Sequence, residues 1–147
     1  MKRIISLCLL FAVLIGGALV LNANAIDMSG DEWFELGPKG AVSVKAGSTL
    51  SLTLLIRNIT SSSRIVTSLQ AVVIDPFNGT RVLGPLNFST ASSIAAGKYI
   101  SKNIALAIPT AVGSIQTANK TLAVVIYSLD SNQVVRGSTG WAFVVTP

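Results

Sequence analysis

Few side chains in this sequence have the chemistry that enzymes use. Its 147 residues include no histidine and one cysteine, Cys8, which lies in an apolar stretch near the N-terminus. Without histidine the chain cannot form a Ser-His-Asp or Cys-His catalytic site or a histidine-ligated zinc site, and one thiol forms no internal disulfide. No GxGxxG or P-loop pattern occurs. We therefore predict a protein that is not an enzyme, with no catalytic residue and no cofactor.

The six carboxylates are unevenly distributed. Oxygen ligands can bind calcium, but the spacing of the N-terminal acidic group matches no EF-hand loop, so we predict no metal site. The last two acids, Asp75 and Asp130, lie in predicted turns, where we expect them to accept hydrogen bonds from nearby amides. The other four fall within nine residues: Asp27, Asp31, Glu32 and Glu35.

The most informative motif is Asn-X-Ser/Thr, the acceptor sequence for an N-linked glycan on a surface loop of an exported protein. All four copies lie at a predicted strand end or turn, where a glycan would point outward. The alternative is that they are ordinary turn asparagines in a chain rich in serine and threonine. In a host with the glycosylation machinery, the candidate acceptors are Asn58, Asn78, Asn87 and Asn119.

Alternation of apolar and polar residues predicts the strands that position these sites. In Ala46–Asn58, a turn at Ala46-Gly47-Ser48 precedes a stretch in which Leu50, Leu52, Leu54 and Ile56 share one face, so we predict a central strand over Leu50–Asn58 that is buried on that face. No helical period appears after residue 25, and the pattern predicts an all-β fold, a two-sheet antiparallel sandwich of seven or eight strands. The further strands are expected at Ala41–Lys45, Arg64–Ile74, Thr80–Leu83, Lys98–Ile108, Thr121–Leu129, Gln133–Arg136 and Ser138–Thr146, with Pro85–Ser89 as a candidate edge strand and a loop at Thr110–Asn119.

Four local features make sharper predictions. Arg64–Ile74 is apolar on both faces, which indicates a strand covered on both sides or a β-bulge. Asn78-Gly79 predicts a type I′ hairpin turn. Pro85 cannot donate a ladder hydrogen bond, which favours an edge strand. Lys102 interrupts an apolar face, so it should either lie near an edge or extend its ammonium along the apolar surface to water.

The N-terminal segment, residues 1–25, is typical of a signal peptide. Lys2-Arg3 precedes the apolar stretch Ile4–Val20, and Ala23-Asn24-Ala25 matches the A-x-A cleavage pattern, which predicts cleavage before Ile26. The alternative is an uncleaved membrane anchor, because the stretch of 17 residues is longer than most signal cores and just short of a full span. Either case places the rest of the chain outside the cell or at its surface.

Residues 26–40 form an acidic, aromatic leader, and residues 41–147 the predicted sandwich domain. The rings of Trp33 and Phe34 are large and apolar, so we expect them to be buried against their own domain or against a neighbouring copy. This makes them assembly candidates. The formal charge of +5 becomes +3 without Lys2 and Arg3, with nine basic and six acidic residues. Because the basic residues are scattered singly, we predict no nucleic-acid partner. We expect membrane contact only through residues 1–25, and only if they are not cleaved.

Four successive stretches carry a resemblance: AGSTLSLTLLIRN, VVIDPFNGTRV, AAGKYISKNIALAIP and TLAVVIYSLDSNQVVRG. Their order resembles immunoglobulin-like modules of the CARDB or fibronectin type III kind, which are common in surface proteins of archaea and some bacteria. The resemblance covers Val42 to about Val145, without a Cys…Trp…Cys signature. It implies a single immunoglobulin-like antiparallel β-sandwich with an adhesive, spacer or assembly role and no active-site residue.

These observations together predict a non-enzymatic, secreted or cell-surface structural protein. It would associate with itself or with other surface proteins, as the subunit of a filament, a surface layer or a virion. The alternative is a monomeric extracellular module for adhesion or ligand binding.

Overall fold

The computed structural model describes residues 25–29, 32–37 and 42–147, and in the first two ranges the side chains of residues 34–37 alone. Every regular element in these ranges is a strand, and none is a helix that could span a membrane. The signal peptide or membrane anchor expected in residues 1–25 lies outside the described residues, except for Ala25, which begins the first strand. The strands are β1 (Ala25–Ser29), β2 (Glu32–Gly37), β3 (Ser43–Lys45), β4 (Thr49–Asn58), β5 (Arg64–Ile74), β6 (Arg81–Ile94), β7 (Tyr99–Ala107), β8 (Ala111–Val112), β9 (Ile115–Gln116), β10 (Thr121–Leu129) and β11 (Val135–Thr146).

Two sheets form a sandwich, which confirms the predicted fold class. Sheet A has the order β1-β2-β4-β7 and sheet B the order β3-β11-β10-β5-β6, while β8 and β9 form a small separate hairpin. All pairs are antiparallel except β3 with β11, which run parallel. The two sheets contain nine strands where the sequence predicted seven or eight, and the described part of the leader supplies two of the nine.

The core lies between the inner faces of the two sheets. In β4 every second residue is buried, as the alternation predicts, and the same holds for β10. Trp141 and Phe143 of β11 stack in this layer with ring centroids 6.3 Å apart. Because period-2 alternation puts successive side chains on opposite faces, both sheets contribute apolar residues to a common layer. The largest buried side chains include Phe34, Leu36, Leu52, Leu54, Ile56, Leu69, Ile104, Leu106, Leu122 and Phe143.

The leader is part of the sandwich. β2 lies between β1 and β4, with Phe34 opposite Ile56 and Leu36 opposite Leu54. Phe34 is fully buried, and Leu36 is 1 % exposed. The boundary expected near Ala41 therefore does not separate the leader from the core. This strand alternates in the same way as β4, but it was not predicted because its apolar residues have acidic neighbours.

Strand β6 differs from its prediction. One continuous strand, Arg81–Ile94, replaces the two strands predicted at Thr80–Leu83 and Pro85–Ser89. Its pairing with β5 shifts register at several places. Gly84 permits the irregularity, because it has a φ of +89° and a Cβ there would lie 2.5 Å from the carbonyl oxygen of Ala71. At each shift β6 has one residue more than β5, so the extra residues belong to β6, and the bulge alternative for Arg64–Ile74 is not confirmed.

The remaining differences concern turns and connections. The Asn78-Gly79 turn is not type I′, because only Gly79 has a positive φ, and the Gly79 amide donates to the carbonyl of Asp75. The loop expected at Thr110–Asn119 contains the β8–β9 hairpin, and the two predicted C-terminal strands are the single strand β11.

The edge predictions are confirmed. Pro85 lies in β6, the last strand of sheet B. Lys102 lies in β7, the last strand of sheet A, and is partly buried.

Candidate glycosylation and assembly sites

Asn58, the first glycan candidate, is fully buried at the end of β4. Its Nδ2 donates to the carbonyl oxygens of Ser62 at 2.7 Å and Ile94 at 2.9 Å. Its Oδ1 accepts from the amide of Thr60 at 2.9 Å and from the Thr60 hydroxyl at 2.7 Å. A glycan on Nδ2 would replace one of these donated protons inside the core. The folded domain therefore does not present Asn58 to a modifying enzyme.

The same asparagine joins two loops through its backbone. The Asn58 amide donates to the carbonyl of Lys98 at 2.9 Å, and its own carbonyl accepts from the amide of Gly97 at 3.0 Å. Together with the side-chain bond to Ile94, these bonds tie the β4–β5 connection to the β6–β7 connection. This structural role of Asn58 was not predicted from the sequence. Its signal was the polar run after Asn58, because such residues form Asx turns with neighbouring amides.

The other three candidates lie on the surface. Asn78 is exposed in the β5–β6 turn, where its Oδ1 accepts from the amide of Thr80 at 2.8 Å. Asn119 is exposed just before β10, with a φ of +63°, and its amide donates to the carbonyl of Val145. Asn87 is exposed within β6, not at a strand end, and its Oδ1 accepts from Gln70 Nε2 at 3.1 Å.

Asp75 organises the β5–β6 turn, as the sequence predicted. Its Oδ1 accepts from the amide of Phe77 at 3.0 Å, and its Oδ2 lies 3.3 Å from Lys120 Nζ. Asn78 Nδ2 donates to the same Oδ2 at 3.3 Å. The carboxylate thus fixes the turn and links it to the start of β10.

Asp130 does the same for the β10–β11 turn. Its Oδ1 accepts from the amides of Asn132 at 2.8 Å and Val134 at 3.0 Å, and its Oδ2 accepts from Arg136 Nε at 2.8 Å. The bond from Val134 is the largest influence, and with those from Arg136 and Asn132 it holds the pKa of Asp130 below its ordinary value, against the opposing effect of burial.

Among the described residues, no three of His, Cys, Asp and Glu come close enough together to hold a metal ion. Asp75 and Asp130 lie in separate turns, each with its own cation and amide donors. The arrangement suits turn stabilisation, because each carboxylate already accepts hydrogen bonds from amides of its own turn.

The two assembly candidates are neighbours in β2. Phe34 packs in the core of its own chain, opposite Ile56. The backbone of Trp33 pairs with Met28 on one side and Arg57 on the other, and its side chain lies outside the described residues.

No protein-family model matches the chain, and no curated protein matches it. Its fold is nevertheless similar to solved structures. The solution NMR structure of the CARDB domain of the PF1109 protein from Pyrococcus furiosus matches with a TM-score of 0.52 and 14% identity, over 81% of this chain and 98% of that domain. A crystal structure of the same domain, in complex with di-metal ions, matches with a TM-score of 0.49 and 14% identity, over 86% of this chain and 97% of that one.

A second similarity is to one part of a larger protein. Alkylpurine DNA glycosylase AlkC from Pseudomonas fluorescens, bound to DNA containing an abasic site analogue, matches with a TM-score of 0.53 and 12% identity. The match covers 80% of this chain but 31% of that enzyme. At such low identities the similarity concerns the fold alone. Its two packed sheets and its match over nearly the whole PF1109 domain show that this chain folds as a CARDB-like β-sandwich module.

Proposed function

We propose that this protein is a non-enzymatic structural subunit, secreted or displayed at the cell surface, whose copies join by exchanging the β1–β2 hairpin. The observation that carries the proposal is the position of β2. It is an inner strand of sheet A and places Phe34 and Leu36 in the core. It joins the following strands through the sequence Gly37-Pro38-Lys39-Gly40, whose residues favour turns.

Exchange of such a strand costs little contact energy. The pairing with β4 and the burial of Phe34 are the same whether the hairpin comes from the same chain or from a neighbour. If each copy gives its hairpin to the next, the contact does not close on itself, and the product is a filament. A reciprocal exchange between two copies gives a closed dimer instead.

The proposed location and lack of catalysis have independent support. Lys2-Arg3, the apolar stretch and Ala23-Asn24-Ala25 favour export. Asp75 and Asp130 already accept hydrogen bonds from amides and cations, which argues against their use as an acid–base pair. The exposed positions of Asn78, Asn87 and Asn119 suit a glycoprotein.

The assembly test compares two phenylalanines in the mature chain, residues 26–147. Phe34→Ser should abolish assembly, because it puts a hydroxyl where a fully buried ring packs. Phe77→Ser changes a ring that is 83 % exposed in a turn, and should leave assembly intact. Light scattering after size exclusion gives the mass of each species, and negative-stain microscopy distinguishes filaments from closed dimers.

A second experiment separates exchange from other modes of association. Deletion of residues 26–37 opens the edge of β4, so the truncated domain should not form filaments and should bind a synthetic peptide of that segment. If the truncated domain assembles as well as the mature chain, hairpin exchange is wrong.

The second candidate function is a monomeric extracellular module for adhesion or ligand binding. It is favoured by the pairing of β2 with β4 of its own chain, the arrangement that leaves a single copy complete. A mature chain that remains monomeric up to millimolar concentration supports this function and contradicts the filament.

A further inference from the structure

The free edge of β7 is the most regular sheet edge in the part of the chain that the structure describes. β7 pairs with β4 over nine consecutive residues without a register shift, and none of the described strands pairs with its other side. Of the other outer strands, β3 has three residues and β1 has five, and β6 is interrupted at Gly84. A straight edge with unpaired amides and carbonyls is a template for an added strand.

The sandwich is incompletely closed beside this edge. Ile100 of β7 and, on the facing strand β6, Leu86 and Phe88 point inward but are only partly buried. The inward residues of the inner strand β4 are buried throughout. Apolar surface therefore remains at this side of the core, and a further strand next to β7 would cover part of it.

Lys102 controls which strand could bind there. It lies on the inward face of β7 between Ile100 and Ile104, and no described residue forms an ion pair or hydrogen bond with its ammonium. An inward-pointing lysine on an edge strand opposes pairing with uncharged strands, because their binding would remove its charge from water without compensation. A strand with a carboxylate at the facing position would compensate that charge.

We propose that the free edge of β7 is a binding site for an extended, acidic strand of another protein. That strand adds to sheet A by backbone hydrogen bonding, places a carboxylate opposite Lys102, and covers Ile100 with an apolar neighbour. A second copy of β7 is not the partner, because an antiparallel β7–β7 pair centred on this region would bring two Lys102 ammonium groups together. The site does not depend on hairpin exchange, because exchange concerns the edge of β4 that pairs with β2, whereas β7 pairs with the other edge of β4.

The test uses two blocked heptapeptides, TVTETVT and TVTKTVT, which place valine, the central charge and valine on one face. Each is titrated into the ¹⁵N-labelled mature chain and followed by NMR. The glutamate peptide should shift resonances of β7 and its neighbours and bind at least about tenfold more tightly than the lysine peptide, since a like charge replaces an opposite one at the contact.

Charge reversal supplies the decisive comparison. Lys102→Glu should invert the preference, so that the lysine peptide binds more tightly, and Lys102→Gln should abolish the preference if Lys102→Glu does not fold. The matched control is Lys45→Glu, which reverses an exposed lysine on β3 and should leave the preference unchanged. If neither peptide binds, if the shifts lie away from β7, or if the Lys102 variants keep the original preference, the proposal is wrong.

Discussion

Asn58 is held in the core by four side-chain hydrogen bonds, two donated and two accepted. Its partners include the carbonyl of Ile94, which lies 36 positions away in the sequence. Because a buried carbonyl without a donor costs free energy, the side chain stabilises two loops at once.

Asn58→Ala should therefore lower the free energy of unfolding by about 2–4 kcal/mol, because it leaves buried backbone groups without partners. Asn87→Ala is the control: it removes an exposed asparagine that bonds Gln70, and its effect should lie within about 0.5 kcal/mol. Urea denaturation followed by tryptophan fluorescence measures both. Equal midpoints for the two variants would contradict the structural role of Asn58.

Asp130 should contribute to the pH dependence of stability. Its folded-state pKa is lowered, so the ionised carboxylate stabilises the fold above the unfolded-state pKa, about 3.9. This contribution is lost as the pH falls through the lower folded-state pKa. With no histidine in the chain, thermal stability should change little between pH 7 and pH 5 and decline below about pH 4.

Asp130→Asn removes the group that titrates, so the acid decline should become shallower in the variant than in the native chain. Scanning calorimetry at several pH values measures the difference. A steep decline between pH 7 and pH 5, or an identical acid decline in the variant, would show that another group dominates.

The glycan motif illustrates what the sequence could and could not predict at this scale. The motif is defined by three residues, and both a buried and an exposed asparagine satisfy it. Asn58 is buried, unlike Asn78, because its side chain donates to the carbonyls of Ile94 and Ser62. No local sequence pattern predicts these two partners. The turn roles of Asp75 and Asp130 were predictable, because an Asx turn involves amides only two residues ahead.

At the scale of elements, strands with a continuous apolar alternation were predicted to within a residue or two. β4, β7 and β10 belong to this class. β2 was missed because it has only two described apolar residues on its inward face, Phe34 and Leu36, among acidic neighbours. β6 was divided in two because Gly84-Pro85 is a typical turn sequence, and its continuation depends on contacts with β5.

Gly84 gives an element-scale prediction with a close control. Gly84→Ala combines a positive φ with a Cβ 2.5 Å from the Ala71 carbonyl oxygen, whereas Gly97→Ala has a φ of +70° and no atom within 4 Å of its Cβ. The strained φ should cost each variant about 1–2 kcal/mol, and the clash should cost Gly84→Ala about 1–3 kcal/mol more, as overpacking does in cores. The two variants are compared by chemical denaturation, and equal losses would mean that β5 and β6 separate readily at this point.

At the scale of the whole molecule, the sandwich depends on packing without a disulfide, since Cys8 is the single cysteine. The CARDB-like fold was predictable from the order of strands and turns, because alternation fixes which faces pack together. The sheet order was not, because the parallel pairing of β3 with β11 and the position of β2 join residues about 100 and 20 positions apart.

Processing of the exported protein remains a prediction of the sequence. Cleavage after Ala25 would leave four of the five residues of β1, because Ile26 pairs with Glu35 and the strand continues to Ser29. N-terminal sequencing or intact-mass measurement of the exported protein should therefore give Ile26 as the first residue. A protein that retains residues 1–25 would establish the membrane anchor instead.

Glycan occupancy tests the surface of the whole folded molecule. In a host that glycosylates this motif, the exported protein should carry glycans at Asn78, Asn87 and Asn119, which are exposed, and none at Asn58, which is fully buried. The expected pattern follows from access to Nδ2: at Asn58 both of its protons are donated to carbonyls inside the fold. Glycopeptide mass spectrometry gives the occupancy of each site, and a Thr60→Val variant, which removes the Asn58 motif, should leave the glycan mass unchanged. Substantial occupancy at Asn58 in the folded, exported protein would mean that the β4–β5 connection opens far enough to release this side chain.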